Sequence, residues 1–212
     1  GIETKARPDY PALPFMLTFE APAEGSASLS ISADGETLTS PTTLHSGTEV
    51  TITVTPADGY RMASGYPKVY RTGTPSETVP ATFKPDASSG IAYLYTFTMP
   101  DFPVTVEVEY EKIQSTVTFA NPANGTLTLS TADAPGSSIV SGGEVASGTK
   151  VTIAATPNKG YQMVFGSLKV SGKVGDKTNT VPLQKEKDGT TYFLMPAYTV
   201  EAEVKFEPIL VA

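Results

Sequence analysis

The 212-residue chain contains no cysteine, no tryptophan and a single histidine, His45. The first absence excludes disulfides, thiolate zinc sites and a cysteine nucleophile together. His45 lies beside Ser46-Gly47, with no nucleophile elbow or orienting acid in any recognisable pattern, and reads as a solvated loop residue. Charge is also scarce. Only 17% of residues are charged and the net charge is −7, which disfavours nucleic acid and anionic membrane as partners. No apolar run approaches the ~20 residues that span a bilayer, so this segment is not expected to insert into a membrane. No i, i+3, i+4, i+7 stripe of helical length occurs. The chain also shows no signal peptide and is read as a mature or excised fragment, with Gly1 a tag scar.

What is present is a duplication. Gly47-Thr48-Glu49-Val50-Thr51-Ile52-Thr53-Val54-Thr55-Pro56-Ala57-Asp58-Gly59-Tyr60-Arg61-Met62 returns 101 residues later as the segment from Gly148 to Met163, identical at ten of 16 positions. Val50, Ile52 and Val54 alternate with threonines, which is the period of a half-buried strand. Pro56 and Asp58-Gly59 then end it. Met16-Leu17-Thr18-Phe19 and Val117-Thr118-Phe119 each precede a matching Pro and Gly turn, and then a second alternating strand with Leu29 and Ile31, or Leu127 and Leu129, inward. Each copy closes on Phe-x-Met-Pro and an alternating run, Val104 to Tyr110 or Val200 to Phe206. With the abundant Thr, Ser, Gly and Pro, the expectation is all-β, seven or eight short strands per copy. The copies are expected as two small β-sheet modules, β-sandwich-like or β-grasp-like, in an elongated arrangement. Residues 1–14 read as an extended Pro-containing linker, 15–112 as the first module and 113–212 as the second.

Thr-Val-Thr-Ile-x-Ala-Thr-Pro-x-x-Gly-Tyr, then Phe-x-Met-Pro and an alternating Val/Glu strand, resembles the divergent internalin-type B-repeat, a bacterial surface-protein repeat. The resemblance covers about 16–112 and 116–208. It implies a β-grasp-like fold and a non-catalytic extracellular role in a large surface or secreted protein, without cofactor. The expected partner is a protein or glycan at a cell surface, and the chain is expected to be a monomer.

Candidate sites follow from comparing the copies. Glu107/Glu109 and Glu201/Glu203 share strand faces as exposed neighbours, which does not meet the demand of glycosidase acids for a cleft and a buried partner. Asp34, Glu36, Asp58, Asp86 and Asp101 fall in or near turns without the spacing of a calcium loop, and turn chemistry accounts for them. No catalytic, cofactor-binding or metal site is assigned. Tyr60/Tyr161, Phe97/Phe193, Phe102/Tyr198, Tyr110/Phe206, Met62/Met163 and Met99/Met195 recur in both copies and read as packing residues. Features found once fall in the first copy. Its net charge is −7 over 14–112, against zero over 113–208, and it carries a longer loop near 84–90. It also holds Tyr66, Tyr70, Tyr93 and Tyr95, the candidate ligand-binding residues. Two functions therefore stand: a spacer or adhesion and protein-interaction unit, or a carbohydrate-binding module using these tyrosines.

Overall fold

A computed structural model describes residues 13–23, 25–85, 92–132 and 137–210. The linker expected over 1–14 therefore lies almost wholly outside the described residues, as do Asp86 and most of the longer loop. Among the described residues there is no helix. The first copy holds β1 (Pro14–Phe19), β2 (Ala27–Ala33), β3 (Glu36–Thr37), β4 (Thr42–His45), β5 (Glu49–Pro56) and β6 (Tyr60–Met62). It continues with β7 (Lys68–Arg71), β8 (Thr74–Thr78), β9 (Thr82–Pro85), β10 (Tyr93–Thr98), β11 (Val104–Glu107) and β12 (Tyr110–Lys112). The second holds β13 (Gln114–Phe119), β14 (Gly125–Thr131), β15 (Gly143–Ala146), β16 (Lys150–Pro157) and β17 (Tyr161–Met163). After these come β18 (Lys169–Val174), β19 (Lys177–Val181), β20 (Gln184–Lys185), β21 (Thr191–Leu194), β22 (Val200–Glu203) and β23 (Phe206–Pro208). Two compact units result. Unit 1 comprises 13–57 and 61–111, and unit 2 comprises Asp58–Tyr60 with 112–210.

Unit 1 has two five-stranded sheets, ordered β4-β1-β11-β7-β8 and β3-β2-β5-β10-β9. Alternation decides which side chains meet between them. Val50, Ile52 and Val54 of β5 are fully buried, and they share one core with Ile31, Phe97, Leu17, Val69, Val104 and Val106. Leu29 packs on its margin. Sheets facing across a single apolar layer make a β-sandwich. Unit 2 repeats the plan with β15-β13-β22-β18-β19 and β14-β16-β21-β20, around Val117, Leu127, Leu129, Val151, Ile153, Phe193 and Val200.

Each sandwich is closed by a parallel pair that no local pattern announces. Leu17 pairs with Val104 and Phe19 with Val106, while Val117 pairs with Val200 and Phe119 with Ala202. At the end of each opening strand, a serine satisfies the last backbone donor. The Phe19 N–H donates to Ser40 Oγ at 2.8 Å, and the Phe119 N–H to Ser141 Oγ at 2.8 Å.

Three expectations need correction. The closing run 104–110 is not one strand: β11 stops at Glu107 and β12 starts at Tyr110. The backbone there leaves the sheet, and the Glu109 carbonyl accepts from the Ala63 N–H at 2.8 Å. In unit 2 the Lys205 carbonyl accepts from the Val164 N–H at 2.9 Å. With short strands such as β3, β4 and β6, these departures bring the described residues to 12 strands in the first copy and 11 in the second, above the seven or eight expected. His45 is not in a loop, because it ends β4 and pairs with Pro14. Met163 is 42% exposed, whereas Met62 packs on the core of unit 1. The sheet of unit 2 carries Ala155 at the position of Val54, a smaller side chain to pack against.

Tyr110 lies against the core of unit 1, and its hydroxyl is buried with no hydrogen-bond partner among the described residues. Burial pushes its phenol up to about 12 from 10.0. The folded chain thus keeps a proton that the unfolded chain releases, so this group's stability contribution is lost as pH rises from about 10 to about 12. Unit 2 has Phe206 at the equivalent position. Tyr110→Phe is expected to leave stability at neutral pH unchanged or raise it by up to about 1 kcal/mol. It should also remove this group's alkaline loss. Urea unfolding at neutral and alkaline pH measures both, and a neutral-pH loss above about 2 kcal/mol would contradict an unpaired hydroxyl.

Candidate functional site

The four single-copy tyrosines separate into two pairs on different sheets of unit 1. Tyr66 precedes β7 and Tyr70 lies on it, in the β4-β1-β11-β7-β8 sheet. Tyr93 and Tyr95 lie on β10 of the other sheet. The four do not form one platform.

Tyr70 alternates with the buried Val69 and pairs with Thr105, so it stands on the outer face. It lines a shallow acidic cleft with Thr18, Glu20, Thr105, Glu107 and Glu109. Burial first, and then the Glu107 carboxylate, push its phenol above its ordinary value. Beside it, the Lys68 ammonium lies 3.1 Å from the Tyr66 hydroxyl and 4.3 Å from that ring's centroid. The ammonium is closer to the oxygen than to the ring centre, so the contact is a hydrogen bond before it is a cation–π pair. That hydrogen bond raises the Lys68 pKa.

Tyr93 and Tyr95 pair with Val54 and Ile52, both fully buried, and therefore point to the core side of their sheet. The sheet ends one strand further on, at β9, where Phe83 pairs with Tyr95 on the same face. The Phe83 ring lies 5.2 Å from Tyr95 and 6.5 Å from Tyr93, tilted to both. These are favourable aromatic geometries. Tyr95 packs on the core and burial raises its pKa, but Phe83 is 48% exposed and Tyr93 37% exposed. The trio is thus an aromatic lip at an open edge of the sandwich. Flat apolar rings of this kind can stack on a sugar face or a side chain. In unit 2, the residues paired at the same places are Lys185 and Thr191.

Phe83 was not singled out in the sequence, although it is as single-copy as the tyrosines and the same comparison finds it. Unit 2 also has aromatics of its own. Phe165, fully exposed, stands where the first copy has Ser64, and Tyr192 where it has Thr96. Single-copy aromatics are therefore not confined to the first copy. Among the described residues no three His, Cys, Asp or Glu side chains gather in a way that could hold a metal ion.

A family model described as the divergent InlB B-repeat domain matches the chain twice, over residues 16–114 and 115–210. No curated protein matches it significantly. Solved structures similar to it include the C-terminal fragment of the pilus adhesin SpaC from Lactobacillus rhamnosus GG. The two are 11% identical, with a TM-score of 0.36 over 95% of this chain and 99% of that one.

The burial difference along β10 gives a graded outcome. Tyr95→Ala is expected to cost about 2–3 kcal/mol, because it opens a gap at the core margin. Tyr93→Ala is expected to cost under about 1 kcal/mol. Urea unfolding of the two variants decides, and equal losses would place both rings in the core.

Proposed function

The chain belongs to the divergent InlB B-repeat domain family, and on that premise we propose that it is a non-catalytic module of a bacterial surface or secreted protein, acting as a spacer or protein-interaction unit. The observation that carries this reading is what the duplication preserves. Phe97 and Phe193, Met99 and Met195, Ile52 and Ile153, and Val50 and Val151 are all buried core residues, held in both copies. Paired chemistry on the surface is not held in the same way. His45 corresponds to Ala146, and Tyr70 to Ser171. A fold repeated with its core kept and its surface varied suits reach or contact better than turnover. The spacer role requires the two units to extend the chain. Small-angle scattering tests it, and a maximum dimension matching that of a sphere of the same mass would sink the idea.

A second reading, carbohydrate binding, is favoured by the exposed Phe83 and Tyr93 rings at the edge of unit 1. Aromatic faces stack on the apolar faces of sugars without needing charge, and the fold of unit 2 does without these rings. A glycan array with the native chain, Phe83→Ala and Tyr93→Ala examines it. Binding that is lost in both variants supports the lip as the site. An array without hits, or variants that bind like the native chain, removes it.

A further inference from the structure

The shorter hairpin of the second copy changes the edge of its sandwich. In unit 1, β10 runs beside β5 as far as the pair Tyr93–Val54, and Val54 is fully buried. In unit 2, the ladder between β16 and β21 stops sooner, at Ile153–Thr191, the equivalent of Ile52–Tyr95. The chain turns away there into a tight hairpin, in which the Glu186 N–H donates to the Thr190 carbonyl at 2.8 Å. Strand β16 itself continues to Pro157, so residues 154–157 have no strand on that side among the described residues. Alternate residues of an antiparallel strand turn their backbone groups to alternate neighbours. The Thr149 carbonyl accepts from the Met195 N–H at 2.9 Å, so Val151, Ile153 and Ala155 face the β21 side. At Ala155 that side is an open sheet edge.

The side chains around this edge leave a slot. Ala155, Met163, Leu168, Gly189 and Thr191 line a cleft of about 300 Å³. Ala155 stands where unit 1 has Val54, and Thr191 where it has Tyr95. The Tyr93 ring has no counterpart, and Met163 is 42% exposed where Met62 packs on a core. The rim is basic. Residues 150–191 hold seven lysines against Asp176, Glu186 and Asp188, a net charge of +4. Glu186 pairs with Lys150, and the Asp188 carboxylate accepts from the Thr190 N–H at 2.9 Å. Lys185 shares the face of Thr191, and Lys187 is exposed in the hairpin turn.

We propose that this slot takes an extended, acidic segment of another protein, added as a short strand beside residues 154–157. The segment runs antiparallel to β16 and exchanges two hydrogen bonds with Ala155. It places one aromatic ring between Met163 and Leu168, and its flanking carboxylates meet Lys185 and Lys187. Unit 1 contains the template, because there β10 completes the sheet from within, with Tyr93 paired to Val54. Main-chain pairing holds such a segment and the pocket selects its side chain. Two hydrogen bonds and one ring set the expected Kd on the order of 1 mM. This binding mode rests on the protein-interaction reading, and its failure would leave the spacer role, which scattering tests, untouched.

Amide and methyl NMR of the labelled full chain tests it. The probe is an end-blocked peptide, Asp-Ala-Tyr-Leu-Tyr-Asp, which copies Ala92-Tyr93-Leu94-Tyr95 between two aspartates. With peptide at up to about 3 mM, a few times the expected Kd, the Ala155 and Gly189 amides and the Met163 methyl are expected to shift progressively. A control peptide with serine in place of both tyrosines and the leucine should leave them unmoved. Ala155→Pro removes the donor that faces the slot, at an edge position that tolerates proline. It is expected to weaken binding about tenfold, the worth of one hydrogen bond, read at Gly189 and Met163. Lys185→Glu combined with Lys187→Glu leaves the backbone intact and should weaken binding at least about threefold. If Ala155→Pro does not fold, the double lysine variant decides. Unmoved signals with the aromatic peptide overturn the proposal, as do equal shifts with the serine peptide or an undiminished response from either folded variant.

Discussion

Parallel pairing between the opening strand and the last sheet strand governs each sandwich. Leu17 meets Val104, and Val117 meets Val200, across more than 80 residues of intervening chain. Until that ladder forms, the inner face of one sheet is missing and β5 or β16 has nothing to bury its valines against. A slip of one residue would turn Leu17 and Val104 outward together, because side chains alternate with period two. Hairpins such as β7–β8 and β18–β19 can form locally, but they become part of a core only when the distant strands meet. Contacts so far apart in sequence make folding slow relative to a helical chain of equal size.

Apolar burial carries this architecture, with little help from charge. The ion pairs Arg61–Glu111 at 2.7 Å, Arg71–Glu77 at 3.1 Å and Lys169–Glu203 at 2.7 Å all lie on exposed side chains. Such pairs contribute about 0–1 kcal/mol each. Phe193, Leu17, Ile31 and Ile52, by contrast, are fully buried. The two cores also show what the fold tolerates. A tyrosine at 110 and a phenylalanine at 206 fill corresponding places, one with an unpaired hydroxyl and one without.

Legibility in the sequence followed the range of the interaction. The strands around Val50–Val54 and Val151–Ile153 were readable because alternation is a local signal, and duplication doubled it. That Tyr93 and Tyr95 share one strand face was readable for the same reason, but that this face is the core side was not, because it depends on their pairing with Val54 and Ile52. Nor was partner choice. Nothing local to Tyr66 and Tyr70 reveals that β7 pairs with β11, so grouping them with Tyr93 and Tyr95 joined residues that different sheets carry. The break at 108–109 was hidden because Val108 continues the alternation while the backbone turns to a new partner. Phe83 is as legible as the tyrosines, because it too lacks an aromatic counterpart in the second copy, where Lys185 stands.

The same parallel closure has a mechanical consequence. Force entering unit 1 through Leu13 and leaving past Glu107 pulls β1 and β11 in opposite directions along their common axis. The hydrogen bonds between them lie across that pull, so they are loaded together in shear and cannot open one at a time from an end. The same holds for β13 and β22 in unit 2. A polypeptide stretched between two attachment points would therefore meet, in each unit, a clamp that resists as a whole before any strand peels away.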